Sequence, residues 1–426
     1  MEDYKTYTLQ NYRSLPQISH IPDECIEAIE IVGRVFPFKT NSYVAERLID
    51  WRNVPDDPIF TLSFPRREML TPEQYARIRR LVYKQNKRAL TDYVSQIRSR
   101  LNPHPSDQMR NVPAANGTRL EGMQHKYRET ALLFPREGQN CFAFCSYCFR
   151  WSQFSGSDEF RFSTGADIAP YLAYVKEHRE ITDILLTGGD PLTMNPSILR
   201  NYIEQFLMPG MDHVRAIRIG TKSLSYNPSM FTTGRHAGAI ISLFDKTVKT
   251  GKHLSIMAHF THPVELSTDE AKAAIAAIRS SGAQIRTQAP VMKHINDDPR
   301  VWAAMWQRQV ELGCVPYYMF VPRDTGARHF FELPLSRCHE IFRRAYSSVS
   351  GIARTAAGPC MSTGHGKIQV LGTSEIAGEK VFAMRFVQGQ NPELPAVPFF
   401  ARYDAEATWM DQLKPAFGEK KFFFEL

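Results

Sequence analysis

Apolar and polar positions follow two rhythms along this 426-residue chain. Through residue 118 apolar side chains recur at helical spacing, most plainly in the run opened by Pro72-Glu73 and continuing to about Arg100. Proline in a first turn followed by a 3.6-residue recurrence predicts an amphipathic helix. Pro103, Pro105 and Pro113, with Asn116-Gly117, interrupt that pattern and predict a linker. From about residue 130 short β-rich runs take over, at Ala131–Phe134, Asp183–Thr187, Ala216–Thr221, Leu254–Phe260, Gln284–Ala289 and Val315–Val321. Helical stretches such as Ser267–Ser281 and Arg300–Leu312 separate them. Strands alternating with helices predict βαβ units and a parallel sheet. The later units recur roughly every 30–40 residues, the length such units need. Six strands are too few for a complete eight-stranded barrel, so the expected fold is α/β, an open partial (β/α)6 barrel. The expected organisation is a helical N-terminal region over 1–118, the barrel over 119–345 and a separate, Phe-rich C-terminal segment over 346–426.

In parallel βα architectures chemistry gathers at the carboxyl ends of the strands. The unusual residues of this chain fall there. A loop with Cys141, Cys145 and Cys148 follows the first predicted strand, and Gly188-Gly189-Asp190-Pro191 follows the second. Thr221-Lys222 closes the third, His259 and His262 the fourth, Gln288 the fifth, and Arg323-Asp324 follows the sixth. The C-x3-C-x2-C spacing offers three thiolates where a cubane iron–sulfur cluster has four irons, which leaves one iron open for a substrate or cofactor. Structural zinc typically uses two paired arms, and no second arm exists, since Cys25, Cys314, Cys338 and Cys360 are scattered singly. A disulfide framework is disfavoured by seven cysteines in a chain opening Met1-Glu2-Asp3-Tyr4-Lys5, without the pattern of a secretory signal. Taken alone, Gly-Gly-Asp-Pro is simply a tight turn, and a histidine at a strand end is usually structural.

Composition sharpens little. Apolar content of 43% and charged content of 23% are ordinary for a soluble globular protein, and no apolar run reaches a membrane span. The expected location is cytoplasmic. The net charge of +8 is dispersed, with one denser patch at Arg77-Ile78-Arg79-Arg80, Lys84, Lys87 and Arg88. A solvated helix face explains such a patch more often than nucleic acid does.

Taken together these residues resemble the lysine 2,3-aminomutase family of radical S-adenosylmethionine enzymes, over roughly residues 120–370. The cysteine motif is that of radical S-adenosylmethionine enzymes generally. More specific are Thr187-Gly188-Gly189-Asp190-Pro191-Leu192, Arg218-Ile219-Gly220-Thr221 and His259-Phe260-Thr261-His262-Pro263. Thr287-Gln288, Ile295-Asn296-Asp297-Asp298, Pro316-Tyr317-Tyr318 and His329-Phe330 follow in the same order. The resemblance implies a [4Fe–4S] cluster on Cys141, Cys145 and Cys148, its fourth iron chelated by S-adenosyl-L-methionine. Gly188 and Gly189 would let backbone approach that cofactor, Asp190 would accept from its ammonium, and His259 and Gln288 would contact it. Arg150 would pair with the substrate α-carboxylate, a task suited to a planar guanidinium.

The resemblance further implies pyridoxal 5'-phosphate carried by Lys367, in Ser362-Thr363-Gly364-His365-Gly366-Lys367, with Lys126, Tyr127 and Arg128 anchoring its phosphate. Two departures bear on this. Thr363 and His365 interrupt the family's glycine run, and Thr130 stands where an arginine is expected. Lysine-specific members hold the distant ammonium with two aspartates; here one position carries Cys360 and the other falls at Arg323 or Asp324. The implied reaction moves the α-amino group of an L-amino acid to Cβ, with glutamate or another amino acid as open as lysine. An electron donor such as flavodoxin or ferredoxin, and a homo-oligomer built through the N-terminal region, are implied as well. Two other readings stay open: a radical enzyme without pyridoxal phosphate, and an iron–sulfur or zinc protein for electron transfer or nucleic-acid binding.

Overall fold

A computed structural model describes residues 4–102, 109–155 and 162–425. Part of the expected linker, Pro103 and Pro105, lies outside them. One sheet of eleven strands organises the chain. Its strands are β1 (Met123–Tyr127), β2 (Thr130–Leu133), β3 (Asp183–Leu186), β4 (Ala216–Thr221), β5 (His253–His259) and β6 (Gln284–Pro290). They continue as β7 (Val315–Phe320), β8 (Ala357–Ser362), β9 (Gly366–Ile376), β10 (Glu379–Gly389) and β11 (Pro398–Arg402). Neighbours in sequence are neighbours in the sheet throughout.

Strands β2 to β8 run parallel. The six predicted strands are all present, and the crossovers between them are helices 169–177, 196–205, 237–249, 269–280 and 299–311. A further crossover, helix 335–347, leads to a seventh parallel strand, β8, that the residue pattern did not announce. Ala357-Gly358-Pro359-Cys360 lacks the alternation and the β-branched residues by which strands are recognised. It pairs nonetheless, because β7 offers an open edge on one side and β9 on the other.

The C-terminal segment is not set apart from the barrel sheet: β9, β10 and β11 extend it antiparallel. On the opposite edge β1 pairs antiparallel with β2. The sheet curls until its ends touch, where the Arg128 N–H donates to the Gly389 carbonyl at 3.2 Å. Pairing a strand edge in this way satisfies backbone groups that would otherwise be exposed or orphaned.

The long helix expected from Pro72 is two helices, 72–83 and 87–101. Gln85 sits between them at φ 53°, a left-handed conformation that ends the first helix. The start is as the sequence predicts: the Gln74 N–H donates to Thr71 Oγ1 at 3.2 Å and the Thr71 N–H to Gln74 Oε1 at 3.0 Å, a reciprocal cap. The rest of the N-terminal region is less helical than expected, with a ribbon pairing Thr6–Thr8 to Lys39–Asn41 and several short 3-10 turns. This region braces the cysteine loop. Phe144 N donates to Lys39 O and Ser146 N to Leu62 O, both at 2.8 Å, and Lys39 Nζ donates to Cys141 O at 2.6 Å. Among the described residues no helix is long and apolar enough to cross a membrane.

Candidate active site

Two groups of side chains meet at the carboxyl ends of the parallel strands and at the seam of the sheet. The first centres on the cysteine loop after β2. Cys141, Cys145 and Cys148 are half-buried free thiols. Burial, the leading cause, pushes all three thiols up, Cys148 to about 12, and Cys145 raises both of the others. Three thiols this close, each reluctant to ionise alone, suit a cationic metal centre that would deprotonate them. Among the described residues no three His, Cys, Asp or Glu side chains converge on a single ion. A cluster, which takes one thiolate per iron, needs no such convergence.

Gly188 and Gly189 prove to be the floor under this loop. Gly188 has φ 138°, and a Cβ there would overlap the Gln139 amide. At Gly189 a Cβ would lie 2.5 Å from the backbone of Asn140. The close approach these glycines permit within the protein is to the chain leading into Cys141. Asp190 is tied into the protein as well. It is buried, and its carboxylate accepts from Thr221 Oγ1 at 2.7 and 2.8 Å, Ser223 Oγ at 2.8 Å, and the Lys222 and Leu192 N–H groups at 3.0 Å. Four donors converge on it, so it ties the β3 loop to the β4 loop.

His259, ending β5, and Gln288, on β6, face each other across paired strands. Gln288 Nε2 and His259 Nε2 are 2.8 Å apart. Burial, aided by the nearby Lys222 charge, lowers the His259 pKa to about 3, so the imidazole is neutral and accepts from the amide. Lys222 itself forms a buried ion pair with Glu265, Nζ to Oε1 2.6 Å. Glu265 carried no sequence signal; a glutamate four residues after Thr261 looks like any surface acid.

The second group lies at the seam. Lys367 is 6% exposed, and its Nζ sits 3.7 Å from the centroid of the Tyr318 ring and 3.3 Å from Gln388 Oε1. Burial lowers its pKa from 10.5 to about 7, with Arg218 pushing the same way and Cys360 and Asp183 opposing. From the other edge of the sheet come Lys126 and Tyr127, whose Nζ and hydroxyl lie 3.2 and 3.3 Å from Ser362 Oγ. Arg128 does not join them: it lies beyond the end of β1, in the turn to β2, where its side chain is exposed and pairs with Glu129 at 3.6 Å. Thr130, where an arginine was expected, donates to Asp183 Oδ2 at 3.0 Å, and Arg218 Nε donates to Asp183 Oδ1 at 2.9 Å. Ser362, Gln388, Asp183 and Arg218 are brought to this group by pairing across the sheet, which no local motif announces.

Between the two groups stand the arginines. Arg150 is 5% exposed, its guanidinium 4.0 Å from the Phe134 ring centroid, and burial lowers its pKa to about 9 with Arg323 contributing in the same direction. Arg323 Nη1 donates to Ser362 O at 2.7 Å, and its Nε pairs with Asp324 at 3.7 Å. Arg150 and Arg323 share the Phe149 ring, 5.2 and 5.8 Å from its centroid. Cys360 is fully buried on β8, its thiol pushed up to about 12 by burial and hence neutral.

No family model matches the chain. It is 29% identical over 404 residues to a protein of Aquifex aeolicus (strain VF5) provisionally named L-lysine 2,3-aminomutase, covering 95% of each chain. To the L-lysine 2,3-aminomutase of Methanococcus maripaludis it is 25% identical over 365 residues, 85% of this chain and 72% of that one. To the glutamate 2,3-aminomutase of Clostridioides difficile (strain 630) it is 29% identical over 191 residues, 45% and 42% of the two chains. Among solved structures, a radical SAM methyltransferase from Sphaerobacter thermophilus matches at TM-score 0.38 and 15% identity, over 53% of this chain and 64% of that one, a likeness too slight to weigh. A mostly parallel sheet curled into a partial barrel, with three cysteines after its first parallel strand, defines a radical S-adenosylmethionine enzyme. The similarity sustained along nearly the whole chain is to lysine 2,3-aminomutases, relatives 25–29% identical that support the resemblance to that family.

Proposed function

We propose that this enzyme is a radical S-adenosylmethionine aminomutase that moves the α-amino group of an L-amino acid to Cβ, with pyridoxal phosphate on Lys367. The observation that carries the cofactor is the state of Lys367. A buried lysine with a pKa near 7 presents a free amine at neutral pH, the form that attacks a carbonyl. Lys126, Tyr127 and Ser362 surround a polar position beside it, and a phosphate held there would meet an ammonium and two hydroxyls. Gln388 Oε1 orients the Lys367 amine, and the Tyr318 and Phe320 rings keep water from it.

When bound, the cluster with S-adenosylmethionine supplies a carbon radical that takes hydrogen from Cβ, and pyridoxal phosphate supplies the π system across which nitrogen moves. Cys141, Cys145 and Cys148 would hold three irons. The neutral His259–Gln288 pair offers polar contacts without a charge at the wall of that site. Arg150, already stripped of much of its water, would receive the substrate α-carboxylate as a charge-assisted pair. An electron donor of the flavodoxin or ferredoxin kind would reduce the cluster.

The pocket's charge favours an amino acid with an acidic side chain over lysine. With Lys126 given to the phosphate, Arg150 to the α-carboxylate and Arg218 paired with Asp183, the side-chain end is left with Arg323, which donates to the Ser362 carbonyl and pairs with Asp324 at 3.7 Å. Neutral Cys360 offers nothing to a distant ammonium. Like charges brought together in a partly desolvated site are costly, so a second ammonium is disfavoured and a second carboxylate is welcome. The test is an anaerobic assay of reconstituted enzyme against glutamate, aspartate, lysine and alanine, with products resolved as α- or β-amino acids. A β-amino acid from glutamate and none from lysine is the expected result. Cleavage of S-adenosylmethionine with no β-amino acid from any common amino acid would refute the aminomutase reading.

A further inference from the structure

What packs on the sulfur of Cys145 is a phenol, and behind the phenol lies a buried charge. Cys145 Sγ is 3.1 Å from the hydroxyl of Tyr226. Tyr226 is 1% exposed and ends the short helix Ser223–Tyr226 directly after β4. Its backbone is pinned on both sides: its N–H donates to Lys222 O at 3.0 Å and its carbonyl accepts from Asn41 Nδ2 at 2.9 Å. The Lys222 ammonium lies 4.9 Å from the centroid of the Tyr226 ring. Glu265 at 2.6 Å, Thr261 Oγ1 at 3.0 Å and the His259 carbonyl at 3.4 Å hold it there. Glu265 is fully buried, and its second oxygen accepts from the N–H groups of Thr261 and His262. Two loops are thus committed to keeping one cation against one phenol beside one cysteine.

The sense of the sulfur contact follows from chemistry. A cysteine that holds iron is a thiolate with no proton to give. The phenol keeps its proton, since an ordinary tyrosine is un-ionised at neutral pH. The bond therefore runs from O–H to sulfur. A reduced cluster carries one more negative charge than an oxidised one, so a donor on its sulfur and a cation nearby stabilise the reduced form more, and hydrogen bonds to sulfur are a recognised lever on cluster potential.

We propose that Tyr226 is a positioning residue that donates a hydrogen bond to the Cys145 sulfur of the loaded cluster, its phenol polarised by Lys222, and that this pair raises the potential at which the cluster accepts its electron. The inference rests on reading Cys141, Cys145 and Cys148 as cluster ligands. The experiment separates the two. Wild-type chain, Tyr226→Phe and the double variant Lys222→Met/Glu265→Gln, which leaves no lone buried charge, are reconstituted anaerobically and assayed for iron and sulfide. Wild-type chain that takes up no iron or sulfide overturns the cluster reading itself. Loaded proteins are then titrated by electron paramagnetic resonance against solution potential, without S-adenosylmethionine. The expected result is a midpoint moved to more negative potential in both variants at unchanged iron content. A Tyr226→Phe midpoint equal to wild type overturns the proposal. If Tyr226→Phe loads poorly, the double variant decides, because its phenol is intact: a negative shift supports the polarised donor and an unmoved midpoint overturns it.

Discussion

The depressed pKa of Lys367 makes a quantitative demand on how the protein captures its cofactor. With a pKa of about 7 in place of 10.5, the neutral fraction at pH 8 is about 90% where an exposed lysine has about 0.3%, a roughly 300-fold advantage. By pH 10 the exposed lysine has largely caught up, and the advantage falls to roughly 4-fold. The assay mixes apo-protein with pyridoxal phosphate from about pH 6 to 10, traps the adduct with borohydride at early times and counts it on the Lys367 peptide by mass spectrometry. Each rate is divided by that of an unstructured lysine peptide at the same pH, which removes the cofactor's own titrations. The expected ratio falls steeply above pH 8. A ratio independent of pH refutes the argument that burial poises this amine, and an adduct found on Lys126 instead of Lys367 refutes its assignment.

The same burial has a stability consequence. A lysine with a folded-state pKa below its unfolded value binds fewer protons when folded, so the cost is full below about pH 7 and disappears as pH rises towards 10.5. Lys367→Met apo-protein should therefore be more stable than wild type at pH 7, by a few kcal/mol with roughly 5 as the ceiling, and the gap in denaturant midpoints should close near pH 10. Asp190→Asn turns an oxygen facing four donors into a donor itself, and should cost about 2–3 kcal/mol in urea unfolding; a change below about 0.5 would mean the loops do not depend on it. Gly189→Ala sets a methyl against Asn140 backbone and should lower iron uptake as well as stability, whereas Gly238→Ala, where a Cβ meets nothing, should change neither. Arg323→Ala should raise KM for an acidic substrate at least ten-fold while leaving S-adenosylmethionine cleavage intact, and equal losses on acidic and neutral substrates would count against a side-chain contact.

Much of the barrel was written in local pattern. Strands β2 to β7 are short segments, some continuously apolar as over 184–186 of β3 and some alternating as in Ala216–Thr221, and such patterns are legible locally. The cysteine spacing and the Gly-Gly-Asp turn are equally local, so their place after β2 and β3 could be read directly. Lys367 could be named through a family resemblance, but nothing in Gly364-His365-Gly366-Lys367 states that its amine is buried. That depends on β8 and β9 completing the sheet and on Tyr318 and Gln388 arriving from β7 and β10. Arg128 and Lys126 are alike in sequence; the turn after β1 leaves one in solvent, while the strand holds the other against Ser362. Asp190 likewise has the composition of a ligand, and only the meeting of the β3 and β4 loops gives its carboxylate four donors. Composition and spacing therefore determined which chemistry this chain can host, because metal-binding thiolates and strand periodicity are properties of short segments. The tertiary structure decided which charges are buried, paired or free, because burial and pairing depend on residues distant in sequence, from 21 positions for Lys367 and Gln388 to 236 for Lys126 and Ser362.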